Sequence, residues 1–279
     1  MGRRELAIVF DFDLDWWNLA ICDNLSNMYD NDDLSVIDIE EELESPLDAL
    51  ESLDGDSEAQ KPDPDEMLAL LTAPEKSQQI VATRAFCELQ DERAIPFLIN
   101  FLTDPCPLLR VSTAYALGRN PSPTAVEPLI NQLNWDWNGY VRKGVVWALG
   151  NCRDRRALPS LIDALKTDIS AVRLWAASSL AQMGMLEYQD MVASIPPLII
   201  ALKQDSIPAV RSNCAWSLGQ LCREMPSNAI YAGAVDGLIE AFAEDEDMGV
   251  REDAKAALLK LGDPRALQLI EAIEIEGFL

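Results

Sequence analysis

Asn138-Gly139-Tyr140-Val141-Arg142-Lys143-Gly144-Val145-Val146-Trp147-Ala148-Leu149-Gly150 decides the fold, because its frame recurs along the chain. A Val precedes an Arg, and a Leu stands seven residues after that Arg. The same frame holds at Leu109-Arg110 with Leu117, Val172-Arg173 with Leu180, Val210-Arg211 with Leu218 and Val250-Arg251 with Leu258. Three of the five continue Leu-Gly, at Gly118, Gly150 and Gly219. Successive Arg residues lie 32, 31, 38 and 40 positions apart. That is the period of a helical repeat, in which each unit buries its apolar face only against its neighbours.

Each period reads as two helices. The first is short and apolar with Pro near its start, as in Ala94-Ile95-Pro96-Phe97, Ala157-Leu158-Pro159-Ser160 and Ile195-Pro196-Pro197-Leu198. Proline suits a first turn, where its missing N–H has no intrahelical partner to lose. A polar turn follows, with an Asp five or six residues before the Arg. The second helix starts near the Arg and ends near the Gly, a residue suited to a helix C-terminus. An earlier pair spans about 64–90, with Gln79 in the place of the Arg, and Pro264 to about Ile275 reads as a lone C-terminal cap. Two longer linkers, Met185–Ser194 and Met225–Ala232, account for the wider spacings. The expected fold is all-α: a right-handed α-solenoid of about six helix pairs over 61–279. An acidic, partly disordered extension occupies 1–60, with one amphipathic helix expected near 36–52 and Met28 as a candidate alternative start.

Charge and composition exclude several functions. The chain carries a formal charge of −25, and residues 1–60 hold 18 acidic against 2 basic side chains. Such a chain is repelled by nucleic-acid phosphate and by anionic lipid. No apolar run reaches membrane-span length, and the acids after Arg3-Arg4 do not fit a signal peptide. Six Cys without paired spacing suit a reducing, cytoplasmic setting. There is no His, which removes imidazole-dependent nucleophile activation and His-containing metal sites. No metal site and no cofactor of the chain's own are expected.

The helix–Asp-turn–Val-Arg–helix pattern over about 62–275 resembles the HEAT-repeat family, and within it the repeats of phycobilisome lyases. The resemblance implies a ladder of turn charges: Asp104, Asp136, Asp168, Asp205 and Asp245 with Arg110, Arg142, Arg173, Arg211 and Arg251. It also implies that second helices line a concave surface. Counted from each Arg, positions plus two, five and nine share one helix face. They carry Tyr115, Arg119, Trp147, Asn151, Trp175, Gln182, Asn213, Trp216 and Gln220, with Ser112 and Ser178. Aromatic rings among amides have the composition of a binding surface; the alternative is that the rings pack between repeats. Trp135, Trp137 and Tyr140 cluster at a turn, where exposed aromatics suggest a second partner contact or cover for the repeat ends.

Two further motifs need a reading. Phe10-Asp11-Phe12-Asp13 resembles the Asp-x-Asp of haloacid-dehalogenase-like phosphatases, but the surrounding length leaves no room for that α/β domain. Cys22, Cys87, Cys106, Cys152, Cys214 and Cys222 have no CxxC pair; a cluster ligand among them is the alternative to inert packing. The reading is therefore an interaction scaffold and not an enzyme. Ala116-Leu117-Gly118-Arg119-Asn120-Pro121-Ser122-Pro123, Asn138–Arg153 and Phe242-Ala243-Glu244-Asp245-Glu246-Asp247 resemble cyanobacterial HEAT-repeat proteins that partner an A-type iron–sulfur carrier. That resemblance implies an iron–sulfur cluster held by the partner. The alternative from the same resemblance is a subunit of a phycobilin lyase or chromophore-detaching factor.

Overall fold

The computed structural model describes residues 62–276 apart from 185, 186 and 224. They belong to the second of two units into which the chain divides, Lys61–Leu279. The readings made for residues 1–60, including Asp11, Asp13 and Cys22, lie outside the described residues.

The described residues form thirteen α-helices and two short 3-10 turns. In chain order they are α1 (Pro64–Leu71), α2 (Lys76–Ala85), α3 (Ile95–Phe101), α4 (Pro107–Arg119), α5 (Val126–Trp135), α6 (Gly139–Cys152), α7 (Leu158–Thr167), α8 (Ser170–Gly184), α9 (Tyr188–Gln204), α10 (Pro208–Cys222), α11 (Ala229–Glu244), α12 (Met248–Leu261) and α13 (Pro264–Glu276). The first twelve make six pairs, in which odd numbers are first helices and even numbers second helices. The lone α13 follows α12 and packs on it.

The recurring frame is a burial pattern. Leu109, Val141, Val172, Val210 and Val250, directly before each Arg, are fully buried. So are Leu117, Leu149, Leu180, Leu218 and Leu258, seven residues after it. An eight-residue interval is a little over two helical turns, so both apolar residues of the frame face the first helix and the neighbouring pair. Side chains close several helix starts. Asn138 accepts from the N–H groups of Tyr140 and Val141, Asn228 from those of Ile230 and Tyr231, and Asp247 from that of Val250. Pro64, Pro107 and Pro208 open α1, α4 and α10, where no N–H is needed.

The second helices end one to three residues past the glycines of the Leu-Gly pairs, near them as expected, but the glycines have another role. Gly118, Gly150 and Gly219 do not cap helices; they lie inside α4, α6 and α10. A Cβ at Gly118 would stand 2.2 Å from Trp147 Cζ3 of the next second helix. At Gly150 it would meet Ser179 Oγ at 2.6 Å, and at Gly219 the Ala257 Cβ at 2.8 Å. They are close-approach residues, and the real left-handed caps are Arg153 after α6 and Gly262 after α12.

The two expected linkers are also shorter than read. Helix α9 begins at Tyr188, eight residues ahead of Pro196, and α11 begins at Ala229. Both prolines of α9 are inside the helix. The turns ahead of them are retained because Met191 and Val192 pack on the core and Ile195 is buried, so tertiary burial outweighs the lost backbone bonds.

Second helices pack side by side with their neighbours, from α2 through α12, as one continuous layer. First helices meet each other much less, least in the amino-terminal half. The even helices therefore form the tighter, inner layer of the array and the odd helices the splayed outer one. Side chains stitch the inner layer together. Ser179 Oγ donates to Val146 O, Ser217 Oγ to Ala177 O, Asn151 Nδ2 to Gly118 O and Asn213 Nδ2 to Leu174 O.

Candidate functional site

Eight of the ten turn charges form a directional chain of four pairs. Arg110 binds Asp136, Arg142 binds Asp168, Arg173 binds Asp205 and Arg211 binds Asp245, each with two N–H groups on two carboxylate oxygens at 2.6–2.9 Å. The partner is always the Asp of the following repeat. A third N–H of each Arg reaches back to the carbonyl of its own repeat's Asp: Asp104, Asp136, Asp168 and Asp205, all at 2.9 Å. One guanidinium thus joins two turns, a use of its planar fork that Lys lacks.

The ends of the chain differ. Arg251, expected as the fifth rung, donates to Phe242 O and Met248 Sδ, because α13 supplies no further Asp turn in register. In the first pair the two duties are split. Gln79 Nε2 donates to Ala73 O, and Lys76 Nζ binds Asp104 at 2.6 Å. Lys76 was missed in the sequence; the signal was a cation three residues before Gln79, one turn away on the same face.

The aromatic row lies in the inner layer, half-buried. Trp147 wedges over Gly118, and Tyr115 lies against Gly144, where a Cβ would be 2.9 Å from its ring. The Tyr115 and Trp147 centroids are 5.4 Å apart with planes tilted by 38°. Trp175 and Trp216 pack against the core and keep part of their surface open. Lys143 Nζ stands 5.8 Å from the Trp175 centroid. Of the polar members, Ser112 is buried, Asn213 also bonds Ser178 Oγ, and exposed Arg119 donates Nε to Cys87 O. Gln182 and Gln220 are half-buried with no hydrogen-bond partner among the described residues. The row is thus both an inter-repeat packing seam and a partly open lane.

The turn cluster is split between elements. Trp135 ends α5, Tyr140 is the second residue of α6, and Trp137 lies between them. They are 84%, 71% and 40% exposed for Trp135, Trp137 and Tyr140. The Arg110 guanidinium lies 5.8 Å from the Trp137 centroid. Tyr140 is seven residues before Trp147, hence on the same helix face, and links the cluster to the lane.

Four of the five described thiols, those of Cys87, Cys152, Cys214 and Cys222, do not suit metal binding or nucleophilic attack. Burial pushes Cys87 and Cys222 up to about 12, and raises Cys214 further still. Cys152 is raised by burial as well. A thiol must deprotonate to ligate or attack. Among the described residues no group of three or more His, Cys, Asp or Glu is placed to hold a metal ion. Also among them, no helix is long and apolar enough to cross a membrane. Two open clefts, about 490 and 410 Å³, lie beside the Arg173–Asp205 and Arg142–Asp168 pairs, whose charges are already matched.

A family model of HEAT repeats matches the chain in three overlapping stretches, 64–143, 126–195 and 195–273. Together they cover the whole array of helix pairs. The chain belongs to the HEAT-repeat family. Comparison with curated proteins found no significant match. Among solved structures the HEAT array resembles a designed armadillo repeat protein in complex with the peptide (KR)4. That likeness has a TM-score of 0.56 and 18% identity, over 72% of this chain and 100% of that one. An engineered protein from a structural-genomics programme matches with a TM-score of 0.55 and 22% identity, over 72% and 98%. Yeast importin-beta matches with a TM-score of 0.53 and 19% identity, over 76% of this chain and 32% of its own length. At these identities the likeness shows the fold. HEAT and armadillo arrays are typical of protein-binding scaffolds, since a stacked layer offers a long surface.

Proposed function

We propose that the chain is a protein–protein interaction scaffold, not an enzyme, that seats its partner along the inner layer of second helices. The observation that carries this is the lane itself. Trp147, Trp175 and Trp216 stand at one-repeat intervals with partly open rings, beside the unengaged amides of Gln182 and Gln220. Partly open aromatic anchors concentrate binding energy. The turn cluster of Trp135, Trp137 and Tyr140 extends the contact at one edge. The designed armadillo neighbour, which holds a peptide, has the same kind of layered fold.

For the partner we propose an A-type iron–sulfur carrier, with the cluster held by the carrier's own ligands. Two things support it: the sequence stretches at 116–123, 138–153 and 242–247, and the burial that raises the thiols of Cys87, Cys152, Cys214 and Cys222. Photo-crosslinking tests both levels. A photoreactive residue replacing Gln182 or Gln220 should crosslink to a cluster-loaded carrier, and one replacing Asp163, exposed on the outer α7, should not. Crosslinks from Asp163 alone would overturn the inner-face reading. Absence of any crosslink to the carrier would overturn that partner. A shifted visible spectrum on adding free bilin to the lone protein would favour a phycobilin lyase subunit instead.

A further inference from the structure

The chain is strongly acidic, yet its inner layer is not. Helices α2, α4, α6, α8 and α10 contain no Asp or Glu, although the chain has 47 of them. The same five helices carry Lys76, Arg84, Arg110, Arg119, Arg142, Lys143, Arg173 and Arg211. Five of these eight are matched by turn carboxylates. Arg84, Arg119 and Lys143 are not: among the described residues none has a carboxylate within ion-pair distance. Arg84 and Arg119 are both close enough to Cys87 for their charges to act on its thiol. Glu88, just past α2, acts on that thiol too. Lys143 is half-buried over the Trp175 ring, and burial alone holds its ammonium below its ordinary value. Acids return to the second helices only at α12, as Glu252 and Asp253.

The lane is therefore graded. Over α2–α6 it offers unmatched cations beside Tyr115 and Trp147. Over α8–α10 it offers Trp175 and Trp216 with the amides of Gln182 and Gln220, and no net charge of its own. Neighbouring packed helices lie roughly 8–10 Å apart, and an extended chain advances about 3.3 Å per residue. Three extended residues thus span one repeat, and roughly twelve span the lane from α2 to α10.

We propose that this lane binds an extended acidic segment of a partner, with its carboxylates over Arg84, Arg119 and Lys143 and its apolar side chains over Trp175 and Trp216. This rests on the scaffold reading and names the partner's chemistry. It is opposite in charge to the (KR)4 peptide held by the designed armadillo neighbour. Charge complementarity also fixes the direction of the ligand, because a carboxylate run over α12 would meet Glu252 and Asp253.

The test is fluorescence anisotropy of the full-length chain with three labelled peptides. Each is an extended twelve-residue Leu/Ser framework, carrying Glu, Lys or Ser at its amino-terminal variable positions. The Glu peptide is expected to bind at least about tenfold tighter than the Lys peptide at low salt, an advantage of about 1.4 kcal/mol, and to lose it at high salt. Arg119→Glu with Lys143→Glu should reverse the order. Should that variant fail to fold, Arg84→Glu with Arg119→Glu, both exposed positions, should give the same reversal. Equal or tighter binding of the Lys peptide overturns the proposal. So does a charge reversal that leaves the preference unchanged, failure of all three peptides to bind, or self-association of the chain that the same substitutions abolish. If Gln182 and Gln220 still crosslink to a carrier while the peptide preference fails, the scaffold reading stands and the acidic ligand falls.

Discussion

Arg110→Met is the sharpest probe of the array's charge chain. Arg110 and Asp136 are the most deeply buried rung, with side chains 7% and 1% exposed. The substitution keeps most of the aliphatic stem and removes five contacts. Two are the bonds to Asp136 at 2.7 and 2.9 Å, and two more run to the carbonyls of Asp104 and Pro105. The fifth is the approach to the Trp137 ring. Asp136 would keep the Asn138 N–H and the Gln132 amide. Stranding one partner of a buried pair costs about 3–5 kcal/mol, and those two remaining donors place the loss near the low end, about 3 kcal/mol. Lys76→Met, at a pair whose Lys is 47% exposed, should cost less than about 1 kcal/mol. Urea unfolding followed by far-UV circular dichroism measures both. Because repeats can unfold in blocks, Trp135 and Trp137 fluorescence should be read alongside for the local transition. Arg110→Met with Asp136→Leu removes the stranded charge and should recover much of the loss. A loss below about 1 kcal/mol for Arg110→Met, or a double variant less stable than the single, would refute a buried rung.

Gly118→Ala should destabilise the array by about 1 kcal/mol or more, because overpacking against Trp147 outweighs the gain of roughly 1 kcal/mol in helix propensity. Gly233→Ala, whose Cβ would meet only Ile199 Cδ1 at 3.9 Å, should stabilise; thermal melts with the same sign for both would be contrary. For pH, burial pushes Asp104, Asp205 and Asp245 up, but their Lys or Arg partner and a backbone N–H outweigh it and hold each carboxyl below its ordinary value. Their contribution is therefore complete above about pH 4 and lost as pH falls through the lowered folded values. Urea midpoints should fall below about pH 4, and less steeply in Arg173→Met with Asp205→Leu; an identical slope would remove the linkage. Native Cys87, Cys214 and Cys222 should resist a disulfide reagent near neutral pH and label fully in denaturant, read by peptide mass spectrometry. Rapid native labelling of these three would contradict their burial.

The repeat was legible because burial and spacing coincide. A Val or Leu before the Arg, and a Leu seven residues after, need only helical geometry to be assigned to one face. What the sequence left undecided depends on neighbours. Gly118 reads as a residue of a helix end, and only the next helix's Trp147 shows that it is a site of close approach. Pro196-Pro197 reads as a helix start, since the apolar contacts that carry α9 past it come from other repeats. The aromatic row was posed as either binding or packing, and the geometry gives the rings both a wedged side and an open one. Which Asp each Arg takes was not readable, because a carboxylate in its own turn is equally near in sequence.

That choice of partner gives the array a reading direction. Every interior Arg reaches for the carboxylate of the next repeat, so no single repeat closes its own hydrogen bonds, and each one completes its predecessor. The two ends are marked differently: Lys76 and Gln79 open the series, and Arg251 ends it on the Phe242 carbonyl. A duplicated interior unit such as 126–157 would find a handshake on both sides, whereas a cut after α10 would leave Arg211 reaching into solvent. Length can thus be changed by whole interior units, but the two ends are not interchangeable with them.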